Sequence, residues 1–123
     1  MATYAEDNAL YASYGVMGGF MQPQGHMQVT IGMLDDLLDP QAALDRPRFS
    51  LQPQRPGGKV AVEEGISIET LSELALMGHP VIPISGTARG IFGRGQIIRR
   101  DPHTGVLWAG SDPRADGCAM VLP

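Results

Sequence analysis

The sequence predicts an α/β fold of the α+β type, a mostly antiparallel sheet accompanied by two longer helices. Three observations carry that expectation. Sixteen Gly and ten Pro cut the 123 residues into short pieces, which suits strands and turns better than a helical bundle. Two stretches place apolar residues at helical spacing, and several short runs alternate apolar with polar residues. Apolar residues make up 43 % of the chain and charged residues 18 %, the balance of a globular protein. That length fits a single domain, residues 1–123, with no room for a second core.

Taken in order, Asn8 to Tyr14 alternates and carries two tyrosines, so it reads as a strand. It leads into Gly15-Val16-Met17-Gly18-Gly19, whose glycines favour a tight turn over a strand interior. A helix is expected from Pro23, with Met27, Ile31, Leu34 and Leu38 along one face; Met33 and Leu37 widen that face, which predicts a buried central helix. Asp39-Pro40 caps a second, short helix over Gln41–Leu44, which must stop before Arg46-Pro47. Phe49 and Leu51 mark a strand, residues 52–58 a Pro/Gly loop, and Lys59–Glu63 another strand. Ser67 is placed to cap a third helix with Ile68, Leu71, Leu74 and Ala75 inward and Glu69 and Glu73 outward, ended by Gly78 and Pro80. Val81–Ile84 reads as a strand and Ser85–Gly95 as a loop. Gln96–Arg100 and Gly105–Gly110 flank a turn at Asp101-Pro102-His103-Thr104, a predicted hairpin. Gly117–Leu122 is expected to add a last strand.

Charge and composition exclude several function classes. The formal net charge is −4, so no basic footprint exists for nucleic acid. No apolar run approaches the roughly 20 residues that span a bilayer, and polar, acidic Met1–Asp7 is not a signal peptide as written, so a soluble chain with no membrane partner is expected. The single cysteine, Cys118, forbids an internal disulfide; its apolar surroundings predict a small core residue. His26, His79 and His103 lie far apart without metal-ligand spacing, and no cofactor or metal is expected. Beside its helix-ending glycine, His79 suits a helix dipole, while His26 is read either as orienting neighbouring backbone or as a buried hydrogen-bonded residue.

Candidate chemistry centres on Gly15–Gly19 and the following Gln22-Pro23-Gln24-Gly25-His26. Adjacent glycines let a backbone approach a substrate closely, and N–H groups at such a turn can face a developing oxyanion. On composition alone the simpler reading is a plain structural turn. Gly90-Ile91-Phe92-Gly93-Arg94-Gly95 lacks the ending and the following helix of a phosphate loop. Asp112-Pro113-Arg114-Ala115-Asp116-Gly117 lacks a calcium loop's later ligands and reads as a turn held by Asp–Arg pairing and Asp–backbone bonds. No serine sits in a GxSxG elbow, and neither Thr3 nor Thr30 has an adjacent activating group.

Six segments in series, Gly15–Val29 (GVMGGFMQPQGHMQV), Asp39–Phe49 (DPQAALDRPRF), Val62–Ile66 (VEEGI), Leu74–Val81 (LALMGHPV), Phe92–Ile98 (FGRGQII) and Gly110–Gly117 (GSDPRADG), resemble the end of the small subunit of gamma-glutamyltranspeptidases. The resemblance covers about Tyr11 to Ala119. It implies membership of the N-terminal nucleophile hydrolases, whose precursor cleaves itself to free a catalytic threonine, its own amine serving as base. It implies removal of the gamma-glutamyl group from compounds such as glutathione, with transfer to water or an amino acid. It also implies an α/β/β/α sandwich built jointly by two subunits.

Carried over by motif, the oxyanion-hole glycine pair falls on Gly18 and Gly19, the catalytic positions expected here. The nucleophilic threonine, the acidic residues that bind the substrate amine and the paired serines that bind its carboxylate belong to polypeptide before these residues. Where the family often has Ser-Pro before the glycines, this chain has Val16-Met17, a change on the acceptor side. Pro47-Arg48 and Asp112–Gly117 match family motifs with a structural role. The expectation is a C-terminal fragment, inactive alone, that works with the large subunit and the start of the small one. The rival from another class is a non-catalytic, self-assembling module, most simply a homo-oligomer, because half a sandwich exposes an apolar face. Complete relatives are often periplasmic or secreted.

Overall fold

A computed structural model of the protein describes residues 1–52 and 58–121. Within them, strands form two sheets. The first orders β1 (Ala2–Thr3), β2 (Leu10–Met17), β6 (Arg94–Arg100) and β7 (Leu107–Ser111), with every neighbour antiparallel. The second orders β3 (Phe49–Gln52), β4 (Lys59–Glu63) and β5 (Val81–Ile84); β3 pairs β4 antiparallel, whereas β4 pairs β5 parallel. That parallel pair follows from α3 (Ile68–Leu76), which carries the chain back to the start of the sheet before β5 begins. Together with α1 (Met21–Leu34) and α2 (Pro40–Asp45), this is the expected mixed, mostly antiparallel α+β fold, α1 and α3 being its longer helices.

Capping chemistry places α2 and α3 as expected. The Asp39 carboxylate accepts the Ala42 N–H at 2.8 Å, with Pro40 at the first helical position. Ser67 accepts the Thr70 N–H, and Gly78, at φ +90°, follows α3 in a conformation that suits glycine. Within the hairpin turn, Asp101 Oδ1 accepts the N–H groups of His103 and Thr104.

Several expectations are corrected. β2 does not stop at Tyr14 but runs through Gly15 to Met17, because those residues pair with Gln96, Gly95 and Arg94. The ladder outweighs the flexibility of one glycine, and the turn shrinks to the residues from Gly18 on. β1 carried no alternation and was not expected. α1 begins at Met21, so Pro23 sits inside its first turn, where a missing N–H breaks no helical bond. It ends at Leu34 and not at Leu38; Leu37 adopts φ +55° and stops it. The expected inward face is also wrong. Met21, Gly25, Val29, Gly32 and Met33 are buried, while Met27, Ile31, Leu34 and Leu37 are exposed and Leu38 is half-buried. α1 is therefore not buried on most sides in this chain. In α3, Leu71 and Leu74 are half-buried but Ile68 and Ala75 are exposed. The expected loop at Ser85–Gly95 contains a 3-10 helix, Gly86–Phe92, and β6 already begins at Arg94.

Residues 117–121 form no strand; Leu122, like 53–57 of the expected loop, lies outside the described residues. Cys118 is exposed and not a core residue. Its segment finds no strand partner among the described residues and, with Met120, borders a groove beside Ser13 and Ile98.

Two small apolar cores result. Val16, Val29, Met33, Ala43, Leu44 and Ile97 join the first sheet to α1 and α2. Met21, Ala61 and Phe92 join the start of α1 to the second sheet. Gly25 decides how closely α1 can sit: a Cβ there would lie 2.6 Å from Val16 Cγ1, so helix backbone meets strand side chain directly. The open edge of β3 is sealed by α1 side chains in place of another strand. Gln28 donates to Phe49 O at 2.9 Å and accepts from Phe49 N, and Gln24 makes the same pair with Leu51. Four helical residues, a rise of about 6 Å along the axis, match two residues of strand, nearly 7 Å, which is why glutamines four apart fit carbonyls two apart.

Candidate active site

Both glycines singled out by the sequence lie between β2 and α1. Gly18 has φ +148° and Gly19 φ +58°, values that L side chains rarely adopt. The turn closes on itself, since Met21 N–H donates to Gly18 O at 3.0 Å and Gln22 N–H to Gly19 O at 3.1 Å. Among the described residues, the N–H groups of Gly18 and Gly19 meet no acceptor. Around Gly19 there is open space: a Cβ built there would meet nothing within 4 Å. Met17 and Phe20, both exposed, flank the opening. α1 starts immediately after, with no acidic residue in its first turn to offset the positive end of its dipole. Free donors, open space and positive potential are what an oxyanion hole requires.

Behind the turn the packing is tight. A Cβ on Gly18 would lie 3.1 Å from Gly93 Cα, and one on Gly93 would lie 2.5 Å from Met17 O. Gly93 itself has φ +76°, so glycine is required there on two counts. This gives the Gly90–Gly95 run a role that the sequence did not reveal: it backs the turn, and β6 follows it directly.

Gly93 is in turn held by a buried ion cluster. Arg48 Nη1 donates to Phe92 O at 3.1 Å and to Gly93 O at 3.3 Å, while Nη2 pairs with Asp112 Oδ2 at 2.8 Å. Arg114 joins Asp112 Oδ1 at 3.0 Å to both oxygens of Glu63, and Arg89 adds a bond to Glu63 Oε1 at 2.7 Å. Backbone donors complete the carboxylates: Gly95 N–H reaches Asp112 at 2.6 Å and Arg48 N–H reaches Glu63 at 2.8 Å. Burial alone would raise the Glu63 pKa, but the hydrogen bonds from Arg114, Arg89 and the Arg48 N–H outweigh it and hold the carboxyl below its usual range. Asp112 is likewise lowered, with burial opposed by the Arg114 N–H, the Arg48 charge and the Gly95 N–H. The expected Asp112–Arg114 turn and the structural role of Arg48 are thus observed. Glu63 and Arg89 were missed, because an isolated Glu in a strand and an Arg in a loop carry no local pattern.

The remaining candidates take structural positions. His26 orients backbone, one of its two readings: Nε2 accepts the Val16 N–H at 3.3 Å and Nδ1 lies 2.6 Å from Gln22 O. The Thr30 hydroxyl is engaged by Tyr14 Oη and by His26 O, each at 2.7 Å. Among the described residues, no group of three or more His, Cys, Asp and Glu side chains converges as a metal site, and no helix is long and apolar enough to cross a membrane.

Comparison with known proteins places the chain. It belongs to the gamma-glutamyltranspeptidase family, whose model matches residues 1–122. It is 32 % identical to a glutathione hydrolase-like YwrD proenzyme of Bacillus subtilis over 113 residues, 89 % of this chain but 21 % of that protein. A cephalosporin acylase from Bacillus halodurans superposes with a TM-score of 0.82 at 46 % identity, over 91 % of this chain and 20 % of the acylase. The gamma-glutamyltranspeptidase of Pseudomonas nitroreducens, at 22 % identity, shares the fold with a TM-score of 0.80 over 99 % of this chain and 61 % of that one. The chain therefore spans about a fifth of the length of the first two relatives.

Proposed function

We propose that this chain is the C-terminal part of the small subunit of a gamma-glutamyltransferase- or hydrolase-like enzyme, folding as one domain and contributing the oxyanion hole through the N–H groups of Gly18 and Gly19. The observation that carries this reading is the pair of unaccepted glycine N–H groups beside open space at a helix start. A threonine hydroxyl from polypeptide outside these residues attacks the amide carbon of a gamma-glutamyl compound such as glutathione. As the carbonyl oxygen becomes an alkoxide, the two N–H groups take up its charge. The hydroxyl proton, taken by the threonine's own amine, passes to the leaving nitrogen as the C–N bond breaks. That step expels the amine and leaves an acyl-threonine for water or an amino acid to take. Losing one such donor costs about 2.7–4 kcal/mol of transition-state stabilisation. The names of the hydrolase-like and acylase relatives both refer to chemistry at an acyl carbon, which such a hole serves. Alone, the chain is inactive.

Gly19→Pro tests this in the complete enzyme. It removes one donor and imposes a φ near −65° where +58° is needed. Turnover of a gamma-glutamyl anilide is expected to fall at least about 10²-fold, with folding still measurable by circular dichroism. Unchanged kinetics would remove the assignment.

A second reading, a self-assembling module without catalysis, is favoured by the apolar surface this chain leaves open. Met27, Ile31 and Leu34 are exposed on α1, and Met17, Ile98 and Leu107 on the sheet. In the enzyme reading the rest of the polypeptide covers these faces; in the second, another copy does, most simply in a symmetric dimer. A well-folded monomer in light scattering across micromolar concentrations would exclude the dimer.

A further inference from the structure

We propose that His26 is a positioning residue for the Gly18–Gly19 turn, bracing both legs of the chain that enter and leave it as a neutral ring protonated on Nδ1. The inference deepens the oxyanion-hole reading and rests on it for its catalytic consequence, though the brace itself stands on geometry.

β2 needs such a brace at one particular place. β1 covers it only at Leu10 and Ala12, while on the other side Gly15, Val16 and Met17 pair with β6. Beyond Ala12 no described strand lies along the β1 side, and the Val16 N–H is taken up by His26 Nε2 at 3.3 Å. Val16 stands two residues before Gly18, on the entering leg. Nδ1 lies 2.6 Å from the carbonyl oxygen of Gln22, on the leaving leg, and Gln22 N–H donates to Gly19 O. A carbonyl oxygen only accepts, so the proton belongs on Nδ1; that leaves the Nε2 lone pair for Val16. One imidazole therefore ties together the two strands of backbone between which the glycine N–H groups are presented.

Neighbouring groups keep the ring at this distance. Gly25 lets α1 press directly on Val16, since a Cβ there would lie 2.6 Å from Val16 Cγ1, and the ring lies against Gly15, where a Cβ would make an ordinary contact with Nε2 at 3.6 Å. The His26 carbonyl is bonded by Thr30, whose hydroxyl also meets Tyr14 of β2. His26 touches no reacting atom in this arrangement; it acts through where Gly18 and Gly19 point. A lysine or arginine cannot replace it, since both only donate, and an aliphatic side chain leaves the Val16 N–H without its acceptor.

The test compares His26→Gln with His26→Leu in the complete enzyme. A glutamine amide oxygen reaches the position of Nε2 and can accept from Val16; leucine has similar bulk and no acceptor. With a gamma-glutamyl anilide, His26→Leu is expected to lower kcat about 10²-fold, the scale on which a misplacement of about 1 Å acts, with KM changed less than about twofold. His26→Gln should stay within about fivefold of the parent enzyme. Nitrogen-15 spectra of histidine-labelled parent enzyme should show the His26 ring with its proton on Nδ1, and Val16 amide exchange should quicken in His26→Leu but not in His26→Gln. An Nε2-protonated ring, equal losses in the two variants, or full kcat in His26→Leu would each overturn the proposal. If His26→Leu does not fold, the tautomer and the His26→Gln kinetics decide it. A parent enzyme that does not turn over gamma-glutamyl amides would instead sink the functional reading, and the tautomer and exchange measurements would still judge the brace.

Discussion

The glycine turn and the ion cluster behind it are built on opposite terms. At Gly18 and Gly19 there are no side chains, the N–H groups lack acceptors among the described residues, and the space around Gly19 is open. A few residues behind, the side chains of Glu63, Asp112 and Arg114 are fully buried, and each charge meets several partners. Arg48 and Gly93 connect the two regions. The difference separates two uses of polar groups. The donors of the turn are left open and exposed, whereas the Glu63 and Asp112 carboxylates each meet several donors and only Nε of the buried Arg48 lacks a partner among the described residues, since an unpaired buried charge is costly. Rigidity is supplied where nothing reacts, and it is passed to the turn through backbone contacts.

Removing one member of the cluster should give the largest effect. Arg114→Met strips Glu63 and Asp112 of a shared partner and is expected to lower stability by about 3–5 kcal/mol, read from the denaturant midpoint. If the comparison holds, turnover per folded molecule in the complete enzyme changes far less than stability does. Acid attacks the same cluster. Glu63 and Asp112 have folded pKa values below their unfolded ones, so their contribution is fully present above the unfolded values, near about 4, and is lost as pH falls through the folded values. Melting temperature should be level at neutral pH and drop below about pH 4, and Glu63→Gln should flatten that drop. A profile unchanged in Glu63→Gln would show that the cluster does not govern acid stability.

Gly25 tests a glycine that serves packing alone. Gly25→Ala forces a Cβ against Val16 and is expected to cost about 1–3 kcal/mol, whereas Gly32→Ala meets only ordinary contacts beyond 3.5 Å and should gain up to about 1 kcal/mol from helix propensity. Equal responses would mean that the close approach at Gly25 is relieved by a small shift of the helix. Gly19→Ala should be the mildest change at the turn itself. The site has room, and the left-handed conformation costs about 1–2 kcal/mol while the N–H remains, so activity should fall less than in Gly19→Pro.

Local chemistry was readable from the chain. Asp39, Ser67, Gly78 and Asp101 act within three residues of the backbone they satisfy, so their caps and turns follow from sequence order. The glycine turn stands out from its residues alone, but positive φ values are shared by turns without function, so its expected oxyanion role rests on resemblance. The faces of α1 were not readable. Met27, Ile31 and Leu34 form one apolar stripe, and Met21, Val29 and Met33 with two glycines form another. Periodicity weighs apolar bulk, but the inward choice went to the face on which glycine lets the helix touch Val16.

By itself, then, the amino-acid order determined the short elements, their caps and the family pattern that marks Gly18 and Gly19, because each depends on neighbours a few residues apart. Only the tertiary structure decided which side of α1 is covered, that Glu63 meets Arg114 across 51 residues, and that Gly93 and His26 hold the turn from behind and from the side. Those contacts join residues whose separation in the chain carries no signal. They form only when two sheets and a glycine-faced helix have already brought the backbone within a few ångströms.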